Sequence, residues 1–149
     1  LLKYEIDTEY IYSKLYTEKL ENIKLRAKLI SKFKVTSDHV AYLVNTKEDV
    51  EKSGLTIFDM SRGMVNIMAG IEGIPIWANF TEDVDGVVYC EFRSNGLNIN
   101  QVATMFGGGG HLQASGCSLS SLKEVKKAVN ELNKVARGES YGDTNFRKN

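Results

Sequence analysis

Ile11, Leu15, Leu20, Ile23, Leu25, Ala27 and Ile30 supply apolar faces that predict helix over 7–32. Asp7 is placed to cap its start, with Glu9 in the first turn. The phase slips near Thr17, so the pattern allows two helices or one kinked helix. The period then changes. Residues 39–46, HVAYLVNT, are rich in β-branched and aromatic residues and predict a buried strand. KEDVEKSG suits a short helix closed by Gly54. Met64, Ile67, Met68 and Ile71 fall at i, i+3, i+4 and i+7 and predict a helix within 58–73, ended by Gly73.

Strict alternation takes over at residue 74. Ile74, Ile76, Ala78 and Phe80 share one face of a strand, and Val88, Cys90 and Phe92 share one face of the next. DVDG between them supplies hairpin turn chemistry. Val87, Tyr89, Glu91 and Arg93 take the other face of the second strand. Trp77 and Tyr89, pointing away from the apolar stripe, are placed either to stack on a base or to pack beneath a helix. INQVATMF then reads as a short helix, with Asn98 as cap and Gln101 at the capping-box position. LQASGCSL reads as a last strand. Ser121 and Glu124 repeat the capping-box pattern before a helix with Val125, Ala128, Val129, Leu132 and Val135 inward, ending at Gly138. These elements predict an α/β fold: a mixed β-sheet containing a β-hairpin, flanked by helices and preceded by a helical connector. The connector covers 1–32, the domain 33–138 and a polar tail 139–149.

Composition narrows the function. The 149 residues carry 19 basic and 19 acidic side chains, for a net charge of zero. A broad basic coat for long nucleic acid is therefore absent, although a local basic site is compatible with neutrality. No apolar run approaches the roughly 18 residues of a membrane span, and the first residues do not read as a signal peptide. Cys90 and Cys117 stand apart from any metal-ligand spacing and read as buried free thiols of a cytoplasmic protein, with a disulfide between them left open. Asp38-His39 reads as a turn before a strand, not as a ligand pair.

The chemistry concentrates in one stretch. FGGGGHLQASG places Gly107, Gly108, Gly109 and Gly110 directly before His111, one of two histidines. Consecutive glycines can present backbone N–H groups inward as an anion-binding nest. An imidazolium beside such a nest adds charge-assisted hydrogen bonds. Arg93 and Ser94, at the end of the second hairpin strand, offer a planar donor fork and a hydroxyl. If strand end and glycine loop meet, these residues surround one phosphate.

FRSNGLNINQVATMFGGGGHLQASG resembles the signature of the DHH-associated C-terminal domain of DHH-family phosphoesterases: an arginine–serine pair, a short helix, a GGGH loop and a small-small-glycine step, here Ala114-Ser115-Gly116. FDMSRGMVNIMAGIEGIPIWANFTED and IDTEYIYSKLY resemble the helix-then-hairpin unit and the connector of the same family. The likeness is greatest to its bifunctional oligoribonuclease and pAp phosphatase members. The resemblance implies an upstream domain that carries a DHH triad and two Mn²⁺ ions, while the C-terminal domain grips the substrate. This sequence has no DHH triad, so the resemblance implies that it binds no metal and hydrolyses nothing alone. By the same likeness Arg93, Ser94, Gly107–Gly110 and His111 hold a phosphate or terminal nucleotide. The implied partners are a short RNA or nucleotide bisphosphate and the chain's own DHH domain; no membrane is implied, and a homodimer is allowed. Neutral charge argues for a short substrate. A RecJ-like exonuclease, a cyclic-dinucleotide or pApA phosphodiesterase, and a nucleic-acid-binding module like the C-terminal domain of alanyl-tRNA synthetase remain open alternatives.

Overall fold

A computed structural model describes residues 7–139. The connector forms two helices, α1 (Thr8–Tyr16) and α2 (Leu20–Ile30). Asp7 accepts from the Tyr10 amide at 2.9 Å and starts the first. The break falls at Thr17, where the backbone turns extended. A short strand β1 (Lys34–Val35), which no periodicity announced, precedes β2 (Val40–Asn45). Helix α3 (Lys47–Ser53) begins with a reciprocal cap between Thr46 and Asp49 and closes at Gly54.

The helix expected within 58–73 forms differently. Asp59–Gly63 is a π-helical turn and Val65–Met68 a 3₁₀ turn, and the chain is extended by Ala69. Two physical causes are visible. Gly63 interrupts the helix former run, and the buried Asn79 amide donates to the carbonyls of Met60 (2.8 Å) and Ser61 (2.7 Å). A tertiary donor thus holds two carbonyls of the turn, and Ile71 ends up outside any helix.

The hairpin is β3 (Ile76–Glu82) and β4 (Val88–Ser94). Asp83 organises its turn, accepting from the amides of Asp85 and Val87 at 2.9 Å each. Ile74 stays outside β3 because Pro75 lacks an N–H and its carbonyl instead accepts from Asn95 at 2.8 Å. Helix α4 (Asn100–Met105) follows, then β5 (Gly109–His111), β6 (Ala114–Leu119), a 3₁₀ turn at Leu122–Glu124 and α5 (Val125–Ala136). The expected Asn98 cap with Gln101 does not form at α4: Ile99 takes the cap position without a side-chain hydrogen bond, and Asn98 instead accepts from the Asn100 amide at 3.1 Å from one residue further out. At α5 the expected Ser121 cap is replaced by its neighbour: Glu124 accepts from both the amide and the hydroxyl of Ser120.

The strands form one six-stranded mixed sheet in the order β1-β2-β3-β4-β6-β5, with β2 and β3 parallel and the other pairs antiparallel. Helices α4 and α5 cover one face, where Phe80, Phe92, Cys90 and Leu119 meet Val102, Val129 and Leu132. The five inward positions expected of α5 are all buried. The opposite face is covered over β2 and β3 by Leu29 of α2, Met60 and Met68, with Trp77 half-buried against them. The indole therefore packs beneath these elements instead of standing open. Among the described residues no helix is long and apolar enough to cross a membrane.

Candidate functional site

The layer carried by α2 and the π-helical turn stops above β4. Beyond it the sheet lies open, with Tyr89, Gly109, His111 and Ser118 exposed and Glu91, Arg93, Ala114 and Gly116 half-buried. This shelf is built from cross-strand rows. Trp77 pairs with Arg93, Arg93 with Ala114, and Ala114 with His111. Directly opposed positions in an antiparallel pair share a face. Arg93 and His111 therefore belong to one row, two strand spacings or about 10 Å apart, with only the Ala114 methyl between them. The next row on that face is Glu91, Gly116 and Gly109.

Arg93 is held in place. One guanidinium nitrogen donates to the Phe92 carbonyl at 2.8 Å and lies 3.0 Å from Glu91 Oε2. Its side chain keeps 16% exposure on the open shelf. Ser94 is not brought into this row. It pairs with Ile76, on the face that carries α5, and its hydroxyl donates to the Leu97 carbonyl. The hydroxyl thereby fixes the loop after β4 instead of facing the shelf.

The glycine run is not a free nest. The amides of Gly107 and Gly108 donate to Thr104 and Ala103 carbonyls at 3.0 and 2.9 Å, closing α4 in a Schellman motif with Gly107 at φ 76°. Gly109 and Gly110 then run into β5 at the sheet edge, so two of the four amides expected to face an anion serve a helix end and the others lie on a strand. The run is glycine for steric reasons. A Cβ on Gly108 would lie 2.1 Å from the Gly116 carbonyl oxygen, and one on Gly110 would lie 2.6 Å from that of Ala114. The missing side chains let this run close on β6; on the shelf face it is Gly109, opposite Gly116, that leaves the sheet without side chains.

On the sheet's other face Cys90 and Cys117 are directly opposed, buried free thiols. The hydrogen bond with Cys117, together with burial, pushes the Cys90 thiol far above its usual range. Among the described residues no group of three or more His, Cys, Asp or Glu side chains could hold a metal ion.

Residues 39–138, which contain the whole shelf, match the DHHA1 domain. The chain belongs to this family. It is 36% identical over 124 residues to a bifunctional oligoribonuclease and PAP phosphatase NrnA of Mycoplasma pneumoniae, covering 83% of this chain and 37% of that protein. It is 30% identical over 137 residues to the protein of the same name from Bacillus subtilis, covering 92% and 43%. The chain thus spans about two-fifths of the length of these curated relatives. Among solved structures it is similar to an exopolyphosphatase-related protein from Bacteroides fragilis, with a TM-score of 0.72, 30% identity, and coverage of 89% of this chain and 41% of that one. The C-Ala domain of Aquifex aeolicus alanyl-tRNA synthetase shares the fold alone, at a TM-score of 0.52 and 13% identity, over 70% of this chain and 97% of that domain. In this DHHA1 domain the signal missed from sequence is Glu91, an acid on the outward face of β4 two residues before Arg93.

Proposed function

We propose that this DHHA1 domain is the substrate-gripping half of a Mn²⁺-dependent DHH-family phosphoesterase that acts on short oligoribonucleotides and pAp. The single observation that carries the reading is the Arg93–Ala114–His111 row on an uncovered part of the sheet. Two cationic or proton-donating side chains flank a gap of about 10 Å floored by small residues, a span suited to one phosphate with hydrogen bonds from both sides. Arg93 offers a fixed fork, and Glu91 and the Phe92 carbonyl hold it so that little side-chain freedom is lost on binding. His111, on the exposed edge strand, closes on the anion from the far side. Ser94 supports the arrangement by tying down the loop that follows Arg93, Gly107 and Gly108 fix the end of α4 beside it, and Gly109 with Gly116 keeps the adjoining row free of side chains. The hydrolytic chemistry belongs to the two Mn²⁺ ions of the DHH domain that the family resemblance implies. The names of the curated relatives support the substrate class.

The test is calorimetric titration of the chain with pAp and with a diribonucleotide. Arg93→Ala and His111→Ala are each expected to weaken binding by about tenfold or more, since a hydrogen bond to a charged group contributes roughly 1.5–3 kcal/mol. No binding by the unaltered chain, or unchanged binding in both variants, would leave an interaction domain whose glycines only permit close packing. Binding of long RNA without any response to pAp would favour a nucleic-acid module of the kind whose fold C-Ala shares.

A further inference from the structure

The Glu91 carboxylate is placed within a phosphate site, where a bare negative charge is unfavourable. One of its oxygens, Oε2, is 3.0 Å from the Arg93 guanidinium. The other, Oε1, has no hydrogen-bond partner among the described residues and overlooks Gly116, where an added Cβ would lie 3.7 Å from it. The side chain retains 22% exposure on the open shelf. A ligand whose phosphate lies over the Arg93–His111 row therefore brings its neighbouring atoms over the adjacent row, against a free carboxylate oxygen and the glycines Gly116 and Gly109. A carboxylate is acceptor-only, so the group that satisfies it must be a donor. In a ribonucleotide with a 3′-phosphate, the atom next to the phosphate-bearing carbon carries a 2′-hydroxyl, which donates.

We propose that Glu91 is the specificity-determining residue that accepts a hydrogen bond from the ribose 2′-hydroxyl, so that the domain selects ribonucleotides over deoxyribonucleotides. The inference rests on the reading of the shelf as a phosphate site. Two oxygens of one carboxylate thus do two things: one steadies the arginine, the other reads the sugar. The 2′-hydroxyl is the group by which a protein separates RNA from DNA, and the deoxy analogue lacks the donor for a charge-assisted hydrogen bond to this oxygen.

The experiment compares calorimetric titrations with pAp and with its 2′-deoxy counterpart for the unaltered chain, Glu91→Ala, the isosteric Glu91→Gln and Arg93→Ala. The unaltered chain is expected to bind pAp about tenfold more tightly than the deoxy compound, as the loss of one charge-assisted hydrogen bond implies. That ratio falls to near unity in Glu91→Ala and decreases in Glu91→Gln, which keeps the shape and so guards against an effect of misfolding. Equal binding of the two ligands by the unaltered chain, or an undiminished ratio in Glu91→Gln, overturns the inference. If both ligands bind equally and Arg93→Ala still weakens both, the phosphate site stands and only the sugar reading falls. If neither ligand binds, the phosphate reading falls and this inference with it.

Discussion

At the scale of single residues, the four glycines have different tasks, and substitution separates them. Gly108→Ala forces a methyl against the Gly116 backbone and the Cys117 side chain, and overpacking of this kind costs about 1–3 kcal/mol or more. Gly109→Ala meets nothing closer than Asn100 Oδ1 at 4.0 Å and should fold normally. Urea denaturation distinguishes the two; equal midpoints would contradict the steric account. Asp49 provides the pH-dependent test. Burial works to raise its carboxyl, but the Lys32 ammonium at 2.6 Å and the hydrogen bonds from Thr46 outweigh this and hold it below its usual 3.8. A folded value below the unfolded one means the stabilisation is present above 3.8 and is lost as pH falls through the lower folded value. Asp49→Asn is therefore expected to lower stability at neutral pH and to converge with the unaltered chain in acid. Stability that stays parallel in the two proteins down to the acid limb would rule this out. The thiols give a third check. Cys90 and Cys117, buried and with the former's ionisation suppressed, should resist a thiol reagent at about pH 8 and react only after denaturant is added. Rapid labelling of the native chain would argue against the packing described.

At the scale of elements, Asn79 decides what the segment before the hairpin becomes. Its amide serves two carbonyls of the π-helical turn, and its own oxygen accepts from Asn45 at 2.8 Å. Asn79→Ala leaves these groups buried without partners and is expected to cost about 2–4 kcal/mol, seen as a lower urea midpoint with little change in slope. A midpoint shift below about 0.5 kcal/mol in equivalent terms would show that the turn holds itself. This element also marks where the sequence stops being legible. The stripe Met64–Ile71 has helical spacing, but the donor that redirects the backbone lies on β3 and leaves no trace in local periodicity. The hairpin and α5 were readable because alternation and the heptad-like spacing match the faces they bury. β1 is too short for a period to register, and β5 has almost no side chains in which to see one. The consequence for the site is specific. Arg93 and His111 were identifiable by residue type, and Ser94's place on the opposite face was already implied by the alternation that put Val88, Cys90 and Phe92 inward; what the sequence could not show is that register brings Arg93 and His111 into one row.

At the scale of the whole molecule, the sheet carries two unequal halves. One is covered on both faces by helical elements; the other is covered only on the α4–α5 side and exposes the shelf. Under the proposed function the chain binds pAp but leaves it intact when Mn²⁺ is added, because that reading assigns the hydrolytic metals to the DHH domain. Release of phosphate by residues 1–149 alone, followed by chromatography, would refute that division of labour. The parallel pairing of β2 with β3 carries a different consequence, one of folding order. Glu82 pairs with Val88 across a tight turn, while Val40 must find Ile76 from the far side of α3 and both turns. Loop-closure entropy favours the local pairing first. The β3–β4 hairpin should therefore be structured in the folding transition state and β2 should dock afterwards, so that Val88→Ala slows folding whereas Leu43→Ala mainly speeds unfolding.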